Sequence, residues 1–299
     1  MTSTIKNVAV AGATGNLGPA ILDQLLKGGF KVTVLTRQGS THKFPDNVDV
    51  KVVDYDSLDS LTDALERQDA VVSTLAGAAL TTQLPLIQAA IKAGVERFIP
   101  SEFGSDTSNT KAAQLPVFKD KVVVQDVLKK EAAAGHLTYT IINNGPFFDW
   151  GLAVGWLANA KEKTISLHDG GNRTFSATTL PAVGQAVVSV LKHPKETKNK
   201  VVRIQSVALT LKKLSEIAQR ATGTPWQEQV VSVDDQISEA FAELQKENPD
   251  PNVFIINFIN ASIFGDGYGS HFKTNDNEFL GIKELSEADI ESLIKAHAQ

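Results

Sequence analysis

The sequence contains no cysteine, which excludes disulfides, thiolate nucleophiles and cysteine metal ligands. Its six histidines are scattered along the chain, and no histidine or carboxylate cluster has metal-ligand spacing, so we expect no metal site. No uninterrupted apolar run approaches the ~20 residues of a membrane span, and residues 1–6 lack the basic and apolar regions of a signal peptide. These absences predict a cytoplasmic protein that binds neither a metal nor a membrane.

A surplus of basic residues is missing as well. The 29 lysines and arginines are outnumbered by 34 aspartates and glutamates, which gives a net charge of −5. Because a nucleic-acid footprint requires clustered positive charge, nucleic acid is not an expected partner. The hydrophobic share of 42% and the charged share of 21% are ordinary for a globular protein.

The chain does contain a glycine-rich turn near its N-terminus. A strand-like run over residues 8–11 enters the turn, and apolar residues at helical spacing over 21–26 leave it. Glycines let the backbone approach a pyrophosphate closely, and the free amides at a helix N-terminus favour an anion. The alternative is an ordinary structural turn. The residues expected to bind the dinucleotide here are Gly12, Thr14, Gly15, Asn16, Leu17 and Gly18.

A cation follows the second predicted strand, residues 31–36. Arg37 lies at the carboxyl end of this strand, where dinucleotide-binding folds meet the adenosine ribose. A guanidinium binds a 2′-phosphate in a bidentate manner, whereas an acid would accept a hydrogen bond from a free 2′-hydroxyl, so Arg37 favours NADP over NAD. The alternative is a solvated loop arginine. Lys43, in the irregular segment 38–46, is a second candidate for the same phosphate.

Strand and helix patterns alternate through the first half of the chain. Five such units in about 100 residues imply a doubly wound parallel α/β sheet with right-handed crossovers. The pattern becomes less regular after Trp150. We therefore expect a dinucleotide-binding domain over residues 1–150 and a smaller α/β substrate lobe over 151–299, which partly returns to the first domain.

Candidate cofactor residues follow the carboxyl ends of the predicted strands, where open α/β sheets place their ligands. Asp54 follows the third strand and is a candidate neighbour of the adenine, with a turn or helix-capping role as the alternative. The later strands add Leu75, Ala76, Ser101, Phe103, Asn143 and Gly145 to the expected cofactor site.

An aromatic cluster follows the sixth predicted strand. Phe147, Phe148 and Trp150, together with Phe103, are expected either to wall a pocket for an aromatic substrate or to form core at the junction of the lobes. The segment 254–272 is rich in asparagine, glycine and aromatic residues. We expect it either to roof this pocket or to form an irregular surface loop.

Several of these motifs together resemble the isoflavone reductase-like, NmrA-like branch of the atypical short-chain dehydrogenases. They are residues 12–18, Arg37, residues 72–77, the Pro-Ser-Glu-Phe-Gly element at 100–104 and the Phe-Lys-Asp-Lys element at 118–121. The resemblance implies an NADPH-binding Rossmann-like domain with a smaller C-terminal substrate lobe. The family that the sequence resembles includes reductases of phenylpropanoid- or flavonoid-like compounds. It also includes redox sensors without known catalysis.

The proton-handling residue of typical short-chain dehydrogenases is absent. The residues four positions after the three tyrosines are Asp59, Asn143 and Phe272, so no Tyr-x-x-x-Lys pair exists. The resemblance assigns the catalytic role to a lysine near the start of the helix after the fifth strand, and the matching residue is Lys121. An ammonium partly removed from water beside an oxidised nicotinamide should have a lowered pKa, which suits a general acid. Lys119 is the nearest rival, on a different helix face.

The resemblance is weaker after the sixth strand. Plant reductases of this family often carry Asn-Met-Phe there, whereas this chain has Asn143, Asn144 and Gly145. The sequence therefore predicts an NADPH-dependent reductase of an aromatic or phenolic enone, quinone methide or carbonyl-like small molecule. The alternative is a non-catalytic NADP(H)-sensing regulator that signals to a protein partner.

Overall fold

A seven-stranded parallel sheet forms the centre of the computed structural model, which describes residues 4–298. The strands of the chain are β1 (Asn7–Ala11), β2 (Lys31–Arg37), β3 (Asp49–Val53), β4 (Ala70–Ser73), β5 (Arg97–Ile99), β6 (Thr138–Asn143), β7 (Thr164–His168), β8 (Thr174–Ala177), β9 (Lys200–Arg203), β10 (Val207–Thr210) and β11 (Gln227–Val231). The order in the large sheet is β3-β2-β1-β4-β5-β6-β9, with every pair parallel. The chain thus builds outward from β1 in one direction and from β4 in the other, which confirms the predicted doubly wound sheet.

Helices cover both faces of this sheet and also surround the C-terminal core. They are α1 (Gly18–Lys27), α2 (Leu58–Leu65), α3 (Gln83–Lys92), α4 (Thr110–Ala113), α5 (Lys119–Ala133), α6 (Phe148–Ala153), α7 (Leu180–Lys192), α8 (Leu211–Thr222), α9 (Val233–Leu244), α10 (Pro251–Phe264), α11 (Asn277–Leu280) and α12 (Glu287–Ala296). Apolar residues of α1 and α7 pack in the core on one face, and those of α2, α3 and α5 pack on the other. Burial on both faces explains why the central strands are continuous apolar runs.

The chain returns to the large sheet after residue 150. β9 pairs with β6 in parallel, and α7 packs beside α1 on one face of the sheet. The other C-terminal strands form two small sheets, β10 with β8 antiparallel and β11 with β7 parallel. They surround a separate core with α6, α8 and α12. The division of the chain at residue 150 stays a prediction, but β9 is a strand of the large sheet and α7 packs on one of its faces.

The segment 254–272 is not an irregular loop along its whole length. Residues 251–264 form α10, which begins with Pro251 in its first turn and the Asp250 carboxylate accepting a hydrogen bond from the Asn252 amide. Its apolar residues occur on all sides, so the sequence shows no amphipathic stripe. A helix of this kind is buried between other elements. Phe258 packs against the core beneath α4, and Phe264 packs in the C-terminal core.

A buried arginine ties the amino ends of three neighbouring chain segments together. Arg97 on β5 is 1% exposed, and its guanidinium donates hydrogen bonds to the hydroxyls of Thr138 (2.8 Å), Thr140 (2.8 Å) and Thr197 (3.0 Å). It also donates to the carbonyl oxygen of Pro194 at 2.6 Å. Burial lowers the pKa of Arg97 to about 10, so the group stays charged at neutral pH. The Arg97 side chain therefore links β5 by hydrogen bonds to β6 and to the segment that leads into β9.

We expect Arg97→Met to lower the free energy of unfolding by about 2–4 kcal/mol, because it leaves several buried oxygens without a donor. Urea unfolding measures this loss. The matched control is Arg220→Met, since Arg220 makes solvent-screened surface ion pairs with Glu287 and Glu291 that contribute little to stability. Similar losses in the two variants would contradict a structural role for the buried guanidinium.

Candidate functional site

The glycine-rich turn joins β1 to α1 and is shaped by a close approach to β4. Gly12 has a φ of 85°, and its carbonyl oxygen accepts hydrogen bonds from the Gly15 amide (3.1 Å) and the Thr74 hydroxyl (2.8 Å). A Cβ on Gly12 would lie 2.8 Å from Thr74, and a Cβ on Gly18 would lie 2.4 Å from Ala13. Packing within the protein therefore requires glycine at both positions.

Gly15 has a different reason to lack a side chain. A Cβ there would meet only the Gly12 carbonyl oxygen, at 3.6 Å, so protein packing does not require this glycine. Thr14, Gly15 and Asn16 are exposed at the top of the turn. The N-cap of α1, Leu17, is buried and supplies no side-chain hydrogen bond to the first turn. The exposed top of the turn is therefore open to close approach by a ligand, as a bound pyrophosphate requires.

A cavity of about 750 Å³ lies beside this turn, at the carboxyl ends of β1, β2 and β4. Five of the expected cofactor residues are among those that line it: Gly12, Thr14, Arg37, Leu75 and Ala76. Tyr55 and residues 38–41 also line it, although the sequence did not single them out. Burial raises the pKa of the Tyr55 phenol to about 12, against the opposing charge of Arg37. The phenol is therefore neutral at physiological pH and supplies an aromatic wall.

Two further candidates lie outside this cavity. Lys43 is exposed and lines a neighbouring cavity of about 350 Å³, which shares Thr14 and His42 with the larger one. Asp54 does not line the large cavity, and its carboxylate accepts a hydrogen bond from the Asp56 amide at 3.0 Å. This contact is the turn role that the sequence left open as the alternative for Asp54.

Lys121 points from the first turn of α5 to the end of β5. Its ammonium donates a hydrogen bond to the main-chain oxygen of Glu102, and the residue is partly buried. Burial lowers the pKa of Lys121, and the Glu102 carboxylate opposes this effect. Lys119 is exposed, so of the two lysines Lys121 is the one that reaches the interior.

The loop after β5 is held by hydrogen bonds from distant parts of the chain. Gln83 accepts from the Ser101 amide at 2.8 Å. The Asp106 carboxylate accepts from the Asn143 amide group at 2.9 Å and from Arg203 of β9 at 2.7 Å. The Gly145 amide donates to the Gly104 carbonyl oxygen at 3.0 Å. These contacts bring Ser101, Phe103, Lys121, Asn143 and Gly145 together at one edge of the sheet.

Polar side-chain atoms without a partner are concentrated at this edge. In the described part of the chain, five buried side-chain atoms have no hydrogen-bond partner, and four of them belong to Ser73, Glu102, Asn143 and Asn144. These residues end or follow β4, β5 and β6. An unsatisfied buried polar atom is costly, so each such group needs an explanation, such as a bound water or ion, a catalytic role or a ligand. Together with the turn and the large cavity, this edge fits a bound dinucleotide.

The aromatic candidates lie in different environments. Phe148 is fully buried in the C-terminal core, which is the second of the two places that the sequence left open for it. Phe103 is 8% exposed and packs against the core of the sheet, and Phe147 is partly buried against the same core. Trp150 is partly exposed and makes an edge-to-face contact with Trp156, with ring centroids 6.3 Å apart.

The end of α10 and the residues after it lie on the loop that follows β5. The hydroxyls of Ser262 and Ser105 are 2.8 Å apart. Lys111 donates to the carbonyl oxygen of Asp266 at 2.7 Å, and Asn109 donates to that of Gly267 at 3.0 Å. This part of the segment 254–272 therefore covers the loop that carries Glu102 and Phe103.

The fold and the turn define a Rossmann-like α/β protein, and comparison with known proteins identifies its family. Residues 4–248 match the NmrA-like family. The chain is 35% identical to Oxidoreductase aprR of Aspergillus flavus over 289 residues, 93% of this chain and 95% of that protein. It is 25% identical to Phenylcoumaran benzylic ether reductase IRL1 of Ginkgo biloba over 296 residues, 92% of each. The chain belongs to the NmrA-like family, which confirms the predicted relationship.

The fold is also found in solved structures. A structure described as AtPrR2 with NADP+ and (+)pinoresinol has a TM-score of 0.78 at 21% identity, and the match covers 99% of this chain and 100% of that chain. Within residues 4–298 no helix is both long and apolar enough to cross a membrane. The same residues contain no group of three or more histidine and acidic side chains arranged to hold a metal ion.

Four residues that hold the site were not singled out from the sequence as site residues. They are Gln83, Glu102, Asp106 and Arg203. Each makes a hydrogen bond to a residue at least 18 positions away in the sequence. Glu102 lies inside the Pro-Ser-Glu-Phe-Gly element, so its position in that motif was a usable signal. Arg203 lies at the end of β9, and no sequence motif marks its side chain.

The two glycines of the turn can be distinguished experimentally. We expect Gly12→Ala to lower the free energy of unfolding by about 1–3 kcal/mol, because of the positive φ and the contact with Thr74. Gly15→Ala meets no such contact and should change unfolding by about 0.5 kcal/mol or less. Thermal unfolding of the ligand-free proteins measures both. An equal loss in the two variants would show that the close contact at Gly12 does not control stability.

Proposed function

We propose that this protein is an NADPH-dependent reductase of an aromatic or phenolic enone, quinone methide or carbonyl-like small molecule. The observation that carries the proposal is the partly buried Lys121, whose ammonium donates to the main-chain oxygen of Glu102 at the sheet edge that also bears the glycine-rich turn. The relatives support it, since aprR is named an oxidoreductase and IRL1 a benzylic ether reductase. A related fold was solved with NADP+ and pinoresinol.

The cofactor would lie across the carboxyl edge of the sheet. Amides of the glycine-rich turn would hold its pyrophosphate, and Arg37 would bind the 2′-phosphate. Leu75 and Ala76, after β4, line the cavity and would lie on the adenosine side. Asn143 has an unpartnered amide oxygen at the end of β6 and would face the nicotinamide side. Bound NADPH supplies a hydride to the substrate carbon and leaves as NADP+.

Lys121 would complete the reduction with a proton. Its ammonium transfers the proton to the substrate oxygen, directly or through a water, and the amine then regains a proton from solvent. The lowered pKa of the buried ammonium makes this transfer easier than from an exposed lysine. Because the protonated form is the active one, turnover should fall as pH rises through the pKa of Lys121.

We expect Lys121→Ala to abolish turnover and to leave NADPH affinity within a few-fold of the wild-type value, because the other cofactor contacts remain. Steady-state NADPH oxidation and a fluorescence titration measure the two quantities. Lys119→Ala is the matched control, since Lys119 lies on the same helix but is exposed. Unchanged turnover in Lys121→Ala would remove this residue from the mechanism.

Arg37→Ala tests the choice of cofactor. We expect it to weaken NADPH binding by about 1.5–3 kcal/mol, as for the loss of a charged hydrogen-bonding partner, and to change NADH binding far less. Isothermal titration with both nucleotides measures the difference. Lys43→Ala serves as a second variant, with a smaller expected effect because Lys43 lies outside the large cavity. Equal losses for NADPH and NADH would show that Arg37 does not bind the 2′-phosphate.

The decisive experiment titrates the purified protein with NADPH and NADH and then follows NADPH oxidation against aromatic enones, aldehydes and quinones. Tight NADPH binding with turnover is the expected result. Tight binding without turnover of any acceptor would favour the NADP(H)-sensing regulator instead. Failure to bind either nucleotide would overturn the assignment of the glycine-rich turn.

A further inference from the structure

Two side chains of α5 converge on one residue at the end of β5. Lys121 and Gln125 are four positions apart, so they project from the same face of the helix. The Lys121 ammonium donates to the main-chain oxygen of Glu102, and the Gln125 amide group donates to its carboxylate at 3.0 Å. The first turns of α5 are therefore fixed to Glu102 at two points.

The Glu102 carboxylate is buried but only half satisfied. Glu102 is 1% exposed, and its Oε2 accepts hydrogen bonds from Gln125 and from the Thr107 hydroxyl at 3.2 Å. Gln125 is also hydrogen-bonded to Thr107, at 2.5 Å, so these two donors hold each other in place. The other oxygen, Oε1, is buried without a partner. A carboxylate in such a position is costly to keep charged, and stability alone does not account for it.

We propose that Glu102 is a positioning residue for Lys121. The main-chain oxygen of Glu102 orients the Lys121 amine, and the buried Glu102 carboxylate keeps that amine protonated until substrate is reduced. This inference rests on the proposed function, since it deepens the part that Lys121 plays there. Glu102 itself need not touch the cofactor or the substrate. Its carboxylate acts on Lys121 through the low-dielectric interior, while the direct hydrogen bond comes from the backbone.

The electrostatics of the surroundings agree with this assignment. Burial lowers the pKa of Lys121, and Glu102 is the charge that opposes the decrease. Burial likewise raises the pKa of Glu102, and the positive charges that oppose this change are Lys121 and Lys129, both on α5. The nearby Asp106 in the same loop is paired with Arg203 of β9. Glu102 is therefore the acidic group that supports the charge of Lys121.

The test measures the titration of Lys121 directly in the protein without cofactor. In protein labelled with 13C-lysine, the Lys121 13Cε resonance is assigned by its loss in Lys121→Arg. We expect Glu102→Gln, which removes the charge and keeps the shape, to lower the apparent pKa of Lys121 by about one to three pH units. Lys129→Gln is the matched control on the same helix and should shift it far less, because Lys129 is half exposed.

Two further variants separate charge from packing. Glu102→Asp keeps the carboxylate and should restore most of the wild-type titration. Gln125→Met removes one donor to the carboxylate, weakens its charged form and should lower the pKa of Lys121 in the same direction by less. Gln125→Met therefore still provides a test if Glu102→Gln does not fold. A purely structural Glu102 would leave the Lys121 titration unmoved in every folded variant, and this result would overturn the proposal.

Activity provides the second measurement. In Glu102→Gln the alkaline limb of kcat/KM should move to lower pH by the same amount as the Lys121 titration, with NADPH affinity little changed. Failure of the role of Glu102 and failure of the proposed reductase function give different results. A wild-type-like titration in folded Glu102→Gln rejects the role of Glu102 and leaves the reductase intact. The expected titration shift in Glu102→Gln, together with no turnover of any acceptor by the wild-type protein, rejects the reductase and retains the pairing of Glu102 with Lys121.

Discussion

Burial of the parallel sheet on both faces is the constraint on which the rest of the structure depends. With helices packed on each face, side chains along the central strands must be apolar, so polar chemistry is confined to the strand ends. At the carboxyl edge the strand order diverges between β1 and β4, and this divergence opens a crevice. The glycine-rich turn, Lys121 and the large cavity all lie along this edge.

The loop after β5 is rigid because each of its contacts comes from a different element. Gln83 at the start of α3, Gln125 of α5, Arg203 of β9 and Ser262 of α10 each hydrogen-bond to it. Two of these residues belong to the C-terminal half of the chain, and the other two lie on helices before and after the loop. Residues far along the chain thus fix the geometry around Lys121, as catalysis by a positioned group requires.

The sequence was sufficient to predict the elements that are set by local patterns. Continuous apolar runs identified the parallel strands, and the glycine spacing identified the turn between β1 and α1. It was insufficient for α10, whose apolar residues surround the helix because it packs between two cores. The sequence left the place of Phe148 open for a related reason, since an aromatic residue of a core and one of a pocket have the same local pattern. The contacts of Glu102 depend on tertiary structure and could not be derived from spacing.

The two edges of the sheet differ in how their buried polar groups are satisfied. At the amino edge, four protein oxygens accept hydrogen bonds from the Arg97 guanidinium, so the buried charge is stabilised within the fold. At the carboxyl edge, Glu102 and Asn143 each keep one oxygen without a partner, although other contacts hold both side chains firmly. A complete network stabilises a structure, whereas an incomplete one leaves a cost that a bound water, ion or ligand can offset. The Arg97 network therefore serves the fold, and the incomplete contacts at the carboxyl edge support the proposal that a ligand binds there.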